Sequence, residues 1–270
     1  MFRTAVATAL VSAFVALPAF AQDDDPAPIP FAGGEFTITE TDDLDKILAF
    51  DGEELARDYF VMFDRIADVG GTEVAFFSVG AGGNACAPSV VMAWKPQDGG
   101  VQTATTGDDC ATPAPAISDY EVFFVPYLLP GDTAELRVWN PDEGFRLHGS
   151  LAYAPEPDTG WETFDPATVS HPLDLFRNAA IYAAAQALLG DDLSTVATGL
   201  GTAGQPDVQA DGLVTARGCV PHACGGSDTF VVVDREAQGL YFAQQGDGTS
   251  YWPARDQWPE AAAGLIPSDF

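Results

Sequence analysis

Two cysteines five positions apart, each beside a β-like run, constrain this chain more than any other feature. The stretch is Gly218-Cys219-Val220-Pro221-His222-Ala223-Cys224-Gly225. Before it comes Leu213-Val214-Thr215-Ala216-Arg217, and after it Thr229-Phe230-Val231-Val232-Val233. The pattern predicts an antiparallel hairpin whose tip becomes a small covalent ring if Cys219 and Cys224 pair. Pro221 removes one backbone donor and fixes one φ angle, so His222 is expected on a stiff, protruding knuckle. A rigid loop carrying one polar side chain suits insertion into another molecule's cleft, because little conformational entropy is left to lose on binding.

The octet and its flanking strands resemble the family of periplasmic inhibitors of vertebrate lysozyme (Ivy), which carries a C-x-P-H-x-C loop between two strands. Cys219, Pro221, His222 and Cys224 match that pattern one by one, whereas Val220 and Ala223 stand where the family often has a lysine and an aspartate. The resemblance covers the last third of the chain. It implies an α+β fold and a non-catalytic role, with residues 219–224 (Cys219, Val220, Pro221, His222, Ala223, Cys224) as the inhibitory loop and His222 entering the enzyme's cleft. The implied partner is a c-type lysozyme or a related cationic lytic enzyme of the cell wall. Weaker binding than that of a full-motif relative is expected from Val220 and Ala223.

The start of the chain reads as an export signal. Met1-Phe2-Arg3 is followed by an apolar run over 5–16 and by Ala19-Phe20-Ala21, small residues at cleavage positions. Cleavage is expected after Ala21, placing the mature protein in the periplasm or outside the cell. No later apolar run approaches the length needed to span a bilayer, so no membrane insertion is expected. Forty acidic residues against eleven basic ones give a formal net charge of −29. Such a surface repels nucleic acid and anionic membranes and speeds encounter with a cationic protein. The plainer reading, an acidic solubilising surface adapted to salt, is equally consistent with only two lysines, Lys46 and Lys95.

Four cysteines in an exported chain imply two disulfides. Of the three connectivities, Cys86–Cys110 with Cys219–Cys224 keeps each bridge within its own segment. By loop-closure entropy the two rings contribute about 3.5 and about 2 kcal/mol. A metal site from Cys219, His222 and Cys224 is the alternative, but it lacks a fourth ligand and zinc-like spacing. Neither metal nor cofactor is expected.

Residues 22–34 are acidic and proline-rich and read as a disordered leader. Residues 35–154 are expected to form an all-β antiparallel domain of unknown function, a sandwich or barrel. Strands are predicted at 35–38, 59–66, 73–79, 89–94, 101–105, 121–127, 134–139 and 145–153, and weak helices at 42–50 and 52–57. Residues 155–169 are rich in breakers and read as a linker. Residues 170–270 read as the lysozyme-inhibitor-like α+β domain. Its helix would run from Ser170 as N-cap to Gly190, followed by a shorter one at 192–198 and an antiparallel sheet at 212–217, 229–234, 239–244 and 250–252.

Other chemistry is weaker. Gly199-Leu200-Gly201-Thr202-Ala203-Gly204 fits G-x-G-x-x-G but follows a helix and precedes Gln205-Pro206, so it reads as a loop. Gly225-Gly226-Ser227-Asp228-Thr229 lacks the last glycine of a nucleophile elbow. Of three histidines, His171 is expected at a helix start, His148 in a strand and His222 in the loop. Trp252 and Trp258 read as core or edge packing rather than the rim of a binding face. An exported enzyme inhibitor is therefore the leading reading. The alternative is a structural or assembly module of the envelope in which the cysteines merely staple a hairpin.

Overall fold

The computed structural model describes residues 26–83, 86–107 and 113–270. The expected signal sequence with its expected cleavage point after Ala21, and Cys110, the expected partner of Cys86, lie outside the described residues. The N-terminal half is a stack of three antiparallel sheets. The first contains β1 (Ile29–Phe31), β2 (Gly34–Glu40), β3 (Lys46–Phe50) and β4 (Glu53–Asp58), paired in that order. The structure departs from expectation at two places in this sheet. The leader over 22–34 already contains β1, because Phe31 is buried against Phe36 and Phe50. The helices expected at 42–50 and 52–57 are the β3–β4 hairpin. Asp51 and Gly52 both hold positive φ (47° and 84°), the backbone of a two-residue hairpin turn, and β3 pairs Leu48 with Ile38 and Phe50 with Phe36. Leu44, an apolar residue within the expected 42–50 helix, is exposed at φ 69°.

The middle sheet is β5 (Phe60–Val69), β6 (Thr72–Gly80), β7 (Ser89–Trp94) and β8 (Gln102–Thr105). It is buried on both faces, which is why β6 and β7 read as nearly unbroken apolar runs. Ala75, Phe77, Val79, Val91 and Ala93 pack on Phe36, Leu48 and Phe50 of the first sheet. Val74, Phe76, Val90, Met92 and Trp94 pack on Val122, Phe124 and Trp139 of the third. A bulge between Phe63 and Arg65 switches the faces of β5. Val61 and Phe63 therefore face the first sheet, and Ala67 and Val69 the third. The third sheet contains β9 (Pro115–Ile117), β10 (Val122–Phe124), β11 (Thr133–Asn140) and β12 (Gly144–Ala152).

The C-terminal half is a further antiparallel sheet with its two main helices on one face and a short C-terminal helix on the other. The predicted helix from Ser170 is interrupted. A 3-10 segment (Pro172–Arg177) precedes α1 (Ala179–Leu189), and Asn178 between them is extended, with ψ 123°. Its Oδ1 accepts from the N–H groups of Ala180 and Ile181, while its amide donates to the Gly160 carbonyl at 2.9 Å. His171, rather than Ser170, caps the 3-10 segment: its Nδ1 accepts from Leu173 N–H at 3.2 Å, and Asp174 closes a capping box. A second short helix, α2 (Leu193–Thr198), follows. The expected linker carries core side chains, since Trp161, Phe164 and Val169 are buried with Phe176, Ile181 and Leu189.

The sheet comprises β13 (Thr202–Ala203), β14 (Asp207–Val208), β15 (Val214–Cys219), β16 (Asp228–Asp234), β17 (Gly239–Gln245) and β18 (Thr249–Trp252). Its order is β13-β15-β16-β17-β18, with β14 also pairing β15. Val214, Ala216, Val231, Val233 and Phe242 face α1. Phe230, Val232 and Ala243 face Trp258 and Ala262, the latter on α3 (Glu260–Ala263). The two halves touch where the Ser194 hydroxyl donates to Asp132 and where the Tyr153 and Tyr182 rings lie 5.1 Å apart.

Candidate functional site

The site is the β15–β16 connection. Register pairs Cys219 with Asp228 and Gly218 with Thr229, so the strands deliver residues 220–227 as the hairpin tip. Residues 221–226 are exposed, while Cys219 and Asp228 at the base are buried. Cys219 and Cys224 form the expected disulfide, with Cα atoms 4.9 Å apart. The bond removes both thiolates, so the metal alternative has lost its sulfur ligands. Cys86 is also disulfide-bonded, and the described residues contain no free cysteine.

Inside the ring, Ala223 N–H donates to the Val220 carbonyl at 2.9 Å. Pro221 and His222 are thus the central pair of a β-turn, and His222 has φ +66°. Proline followed by a residue at positive φ is the type II arrangement, whose second central position favours glycine or asparagine. A histidine there costs about 1 kcal/mol or more of backbone strain. The fold holds an exposed imidazole at a position where local energetics would place a residue without Cβ.

The downstream limb is anchored separately. Gly225, at φ +91°, donates its N–H to Asp228 Oδ1 at 2.6 Å. Asp228 Oδ2 accepts from Arg217 Nε at 3.0 Å, and the same guanidinium binds Asp269 Oδ1 through Nη1 at 3.2 Å. These two carboxylates hold Arg217 more strongly protonated than usual, Asp269 contributing first, and Arg217 in turn pulls Asp269 below the ordinary carboxylate range.

The upstream limb is fixed by close backbone packing. A Cβ on Gly218 would lie 2.8 Å from the Leu200 Cα; on the downstream strand, the Thr229 hydroxyl likewise approaches Gly199, where a Cβ would lie 2.0 Å from its Oγ1. Pro221 sits just beyond Gly201, and Cys219 pairs with Thr202 of β13. The Gly-rich 199–204 stretch therefore serves the loop as a surface for close approach.

Residues 180–268 match the family described as inhibitor of vertebrate lysozyme (Ivy). The C-terminal part of this chain resembles the lysozyme inhibitors. The whole hairpin and its disulfide lie within the Ivy match. Residues 32–152 match a different family, the Y4bG N-terminal domain, which coincides with the three stacked sheets. A relative described as the uncharacterized protein y4bG of Sinorhizobium fredii (strain NBRC 101917 / NGR234) is 28% identical over 224 residues. That alignment covers 81% of each chain, so the relative spans both halves. No solved structure matches the chain.

The other histidines stand apart from the loop: His171 caps the 3-10 segment, and His148 of β12 lies with its ring 5.5 Å from Phe123. Trp258 is buried and donates to the Pro253 carbonyl at 2.9 Å, a core role. Sequence reasoning missed Arg217, Asp228 and Asp269. Arg217 and Asp228 lie two residues before one cysteine and four after the other, a flank that sequence inspection can flag. Nothing near Asp269 in the chain signals its role.

Proposed function

We propose that the protein is an exported inhibitor of a c-type lysozyme or related cationic lytic enzyme, plugging the enzyme's cleft with the loop that carries His222. The observation that carries this reading is a solvent-exposed histidine held at φ +66° on a disulfide-closed turn within the Ivy-matching region. A staple alone would be served better by glycine at that position. An imidazole donates from one nitrogen when neutral and from two when protonated, which suits a cleft lined by carboxyl groups and closely spaced acceptors. The net charge of −29 favours a cationic partner and fast encounter.

The test is titration of the exported protein into a c-type lysozyme cell-lysis assay. His222→Ala is expected to weaken inhibition about thirty-fold, the usual cost of truncating a central anchor. Its melting temperature should not fall, because the side chain is exposed. Equal inhibition by wild type and His222→Ala, or none by either at micromolar concentration, would favour the envelope-module reading.

A further inference from the structure

We propose that Arg217 is a positioning residue for the loop, tying both limbs of the hairpin to the segment that ends in Asp269 and Phe270. The inference rests on the inhibitory reading for its functional consequence. The disulfide closes 219–224 but leaves Gly225, Gly226 and Ser227 outside the ring, a stretch with almost no side chain to hold it. Two backbone bonds in this stretch are long: Val220 N–H to the Ser227 carbonyl and Gly226 N–H to the Ala223 carbonyl, both 3.4 Å. The short bond is Gly225 N–H to Asp228 Oδ1 at 2.6 Å, so the downstream limb is held chiefly by one carboxylate.

That carboxylate is buried, its residue retaining 6% of its exposure, and a buried carboxylate is stable only with a partner. Arg217 supplies it from the opposite limb, with Nε 3.0 Å from Oδ2. Nη2 is shared between Asp228 Oδ2 and Asp269 Oδ2, Nη1 donates to Asp269 Oδ1, and the guanidinium lies 5.3 Å from the centre of the Phe270 ring. Phe270 packs on Phe230 of β16 at 6.2 Å, and the Asp269 carbonyl accepts from Gln245 of β17 at 2.8 Å. The chain β15, β16, Asp269-Phe270 and β17 thus converges on one guanidinium beneath the loop. A lysine there would keep the charge but not the fork. Freed of Arg217, Asp228 would turn toward water and release Gly225.

Two readouts test this on the full chain: amide hydrogen exchange at Gly225 and dissociation from lysozyme. Arg217→Lys should speed exchange at Gly225 and the dissociation rate by roughly five- to ten-fold each, the loss of about one hydrogen bond. Exchange in the β6 and β7 core should be unchanged. Asp269→Asn, a surface change that leaves the core alone, should shift both readouts in the same direction by less. With Asp228→Asn in place, whose carboxamide needs no charge partner, Arg217→Leu should add little. Wild-type exchange at Gly225 in folded Arg217→Lys and Asp269→Asn, or full additivity in the double variant, would overturn the assignment. If the wild type inhibits no lysozyme, the inhibitory reading fails, and exchange at Gly225 still decides the role of Arg217.

Discussion

His222 is where local conformational preference and the proposed function pull in opposite directions. A residue at φ +66° gains from losing its Cβ, while glycine costs more unfolded-state entropy, so His222→Gly should leave stability unchanged or raise it by up to about 1 kcal/mol, with no fall in melting temperature. The same change should reduce inhibition at least as far as His222→Ala. A clear fall in thermal stability for His222→Gly would mean that the imidazole makes packing contacts and is not a free anchor. Asp174 shows the opposite balance, a charge the fold rewards. Burial opposes its ionisation. The hydroxyl of Ser170 and the N–H groups of His171 and Ser170 together pull it below its ordinary value of 3.8. A carboxyl with a depressed folded value contributes stability that is fully present above the unfolded value and disappears as pH falls through the folded one. Stability should therefore drop below about pH 3.8, and Asp174→Asn should flatten that part of the curve. An unchanged acid limb in thermal melts from pH 5 to 2 would remove Asp174 from the account.

Among the elements, the glycines that admit the hairpin to its neighbours are the sensitive points. Gly218→Ala places a methyl 2.8 Å from the Leu200 Cα, a backbone atom that cannot rotate away. The cost should be about 1–3 kcal/mol, typical of forced overpacking, read as a lower urea midpoint at unchanged m-value. Exchange at loop amides should rise as well, since displacing Leu200 would shift the adjacent Gly201, against which Pro221 packs. The three-layer stack shows how elements override propensity. Residues 42–50 present Leu44, Ile47 and Leu48 at helical spacing, yet Asp51-Gly52 is a hairpin turn and Phe50 pairs with Phe36. Turn chemistry at Asp51-Gly52 was the legible signal, and spacing over nine residues was the misleading one. The break at Asn178 is similar. Its side chain caps α1 and also reaches Gly160, a long-range bond that no local pattern announces.

For the whole molecule, the segment 155–169 joins the C-terminal core through Trp161, Phe164 and Val169. A fragment starting at Ser170 loses those three side chains and should melt well below one starting at Pro155, or fail to fold; equal melting would show that the segment is expendable. The acidic surface acts at the same scale. Raising salt from 0.05 to 0.5 M shortens the screening length several-fold, to a few ångströms, and should slow association with a basic lysozyme at least ten-fold while dissociation changes little. Salt-independent association would remove charge steering from the proposed function.

Information carried by short segments was legible from the sequence alone: the hairpin, its disulfide, the strand runs, the acidic charge and the likeness to the lysozyme inhibitors. Each depends on residues within a few positions of one another, and Cys219 needs only its near neighbour Cys224. Tertiary structure decided what distant residues bring together. The double burial of β6 and β7 made two facing cores from one sheet, and Leu200 met Gly218 across a close backbone approach. Asp269 reached Arg217 from fifty-two positions away. Such contacts follow from how layers stack and strands register, because packing free energy is shared among residues whose separation along the chain carries no information about their distance in space.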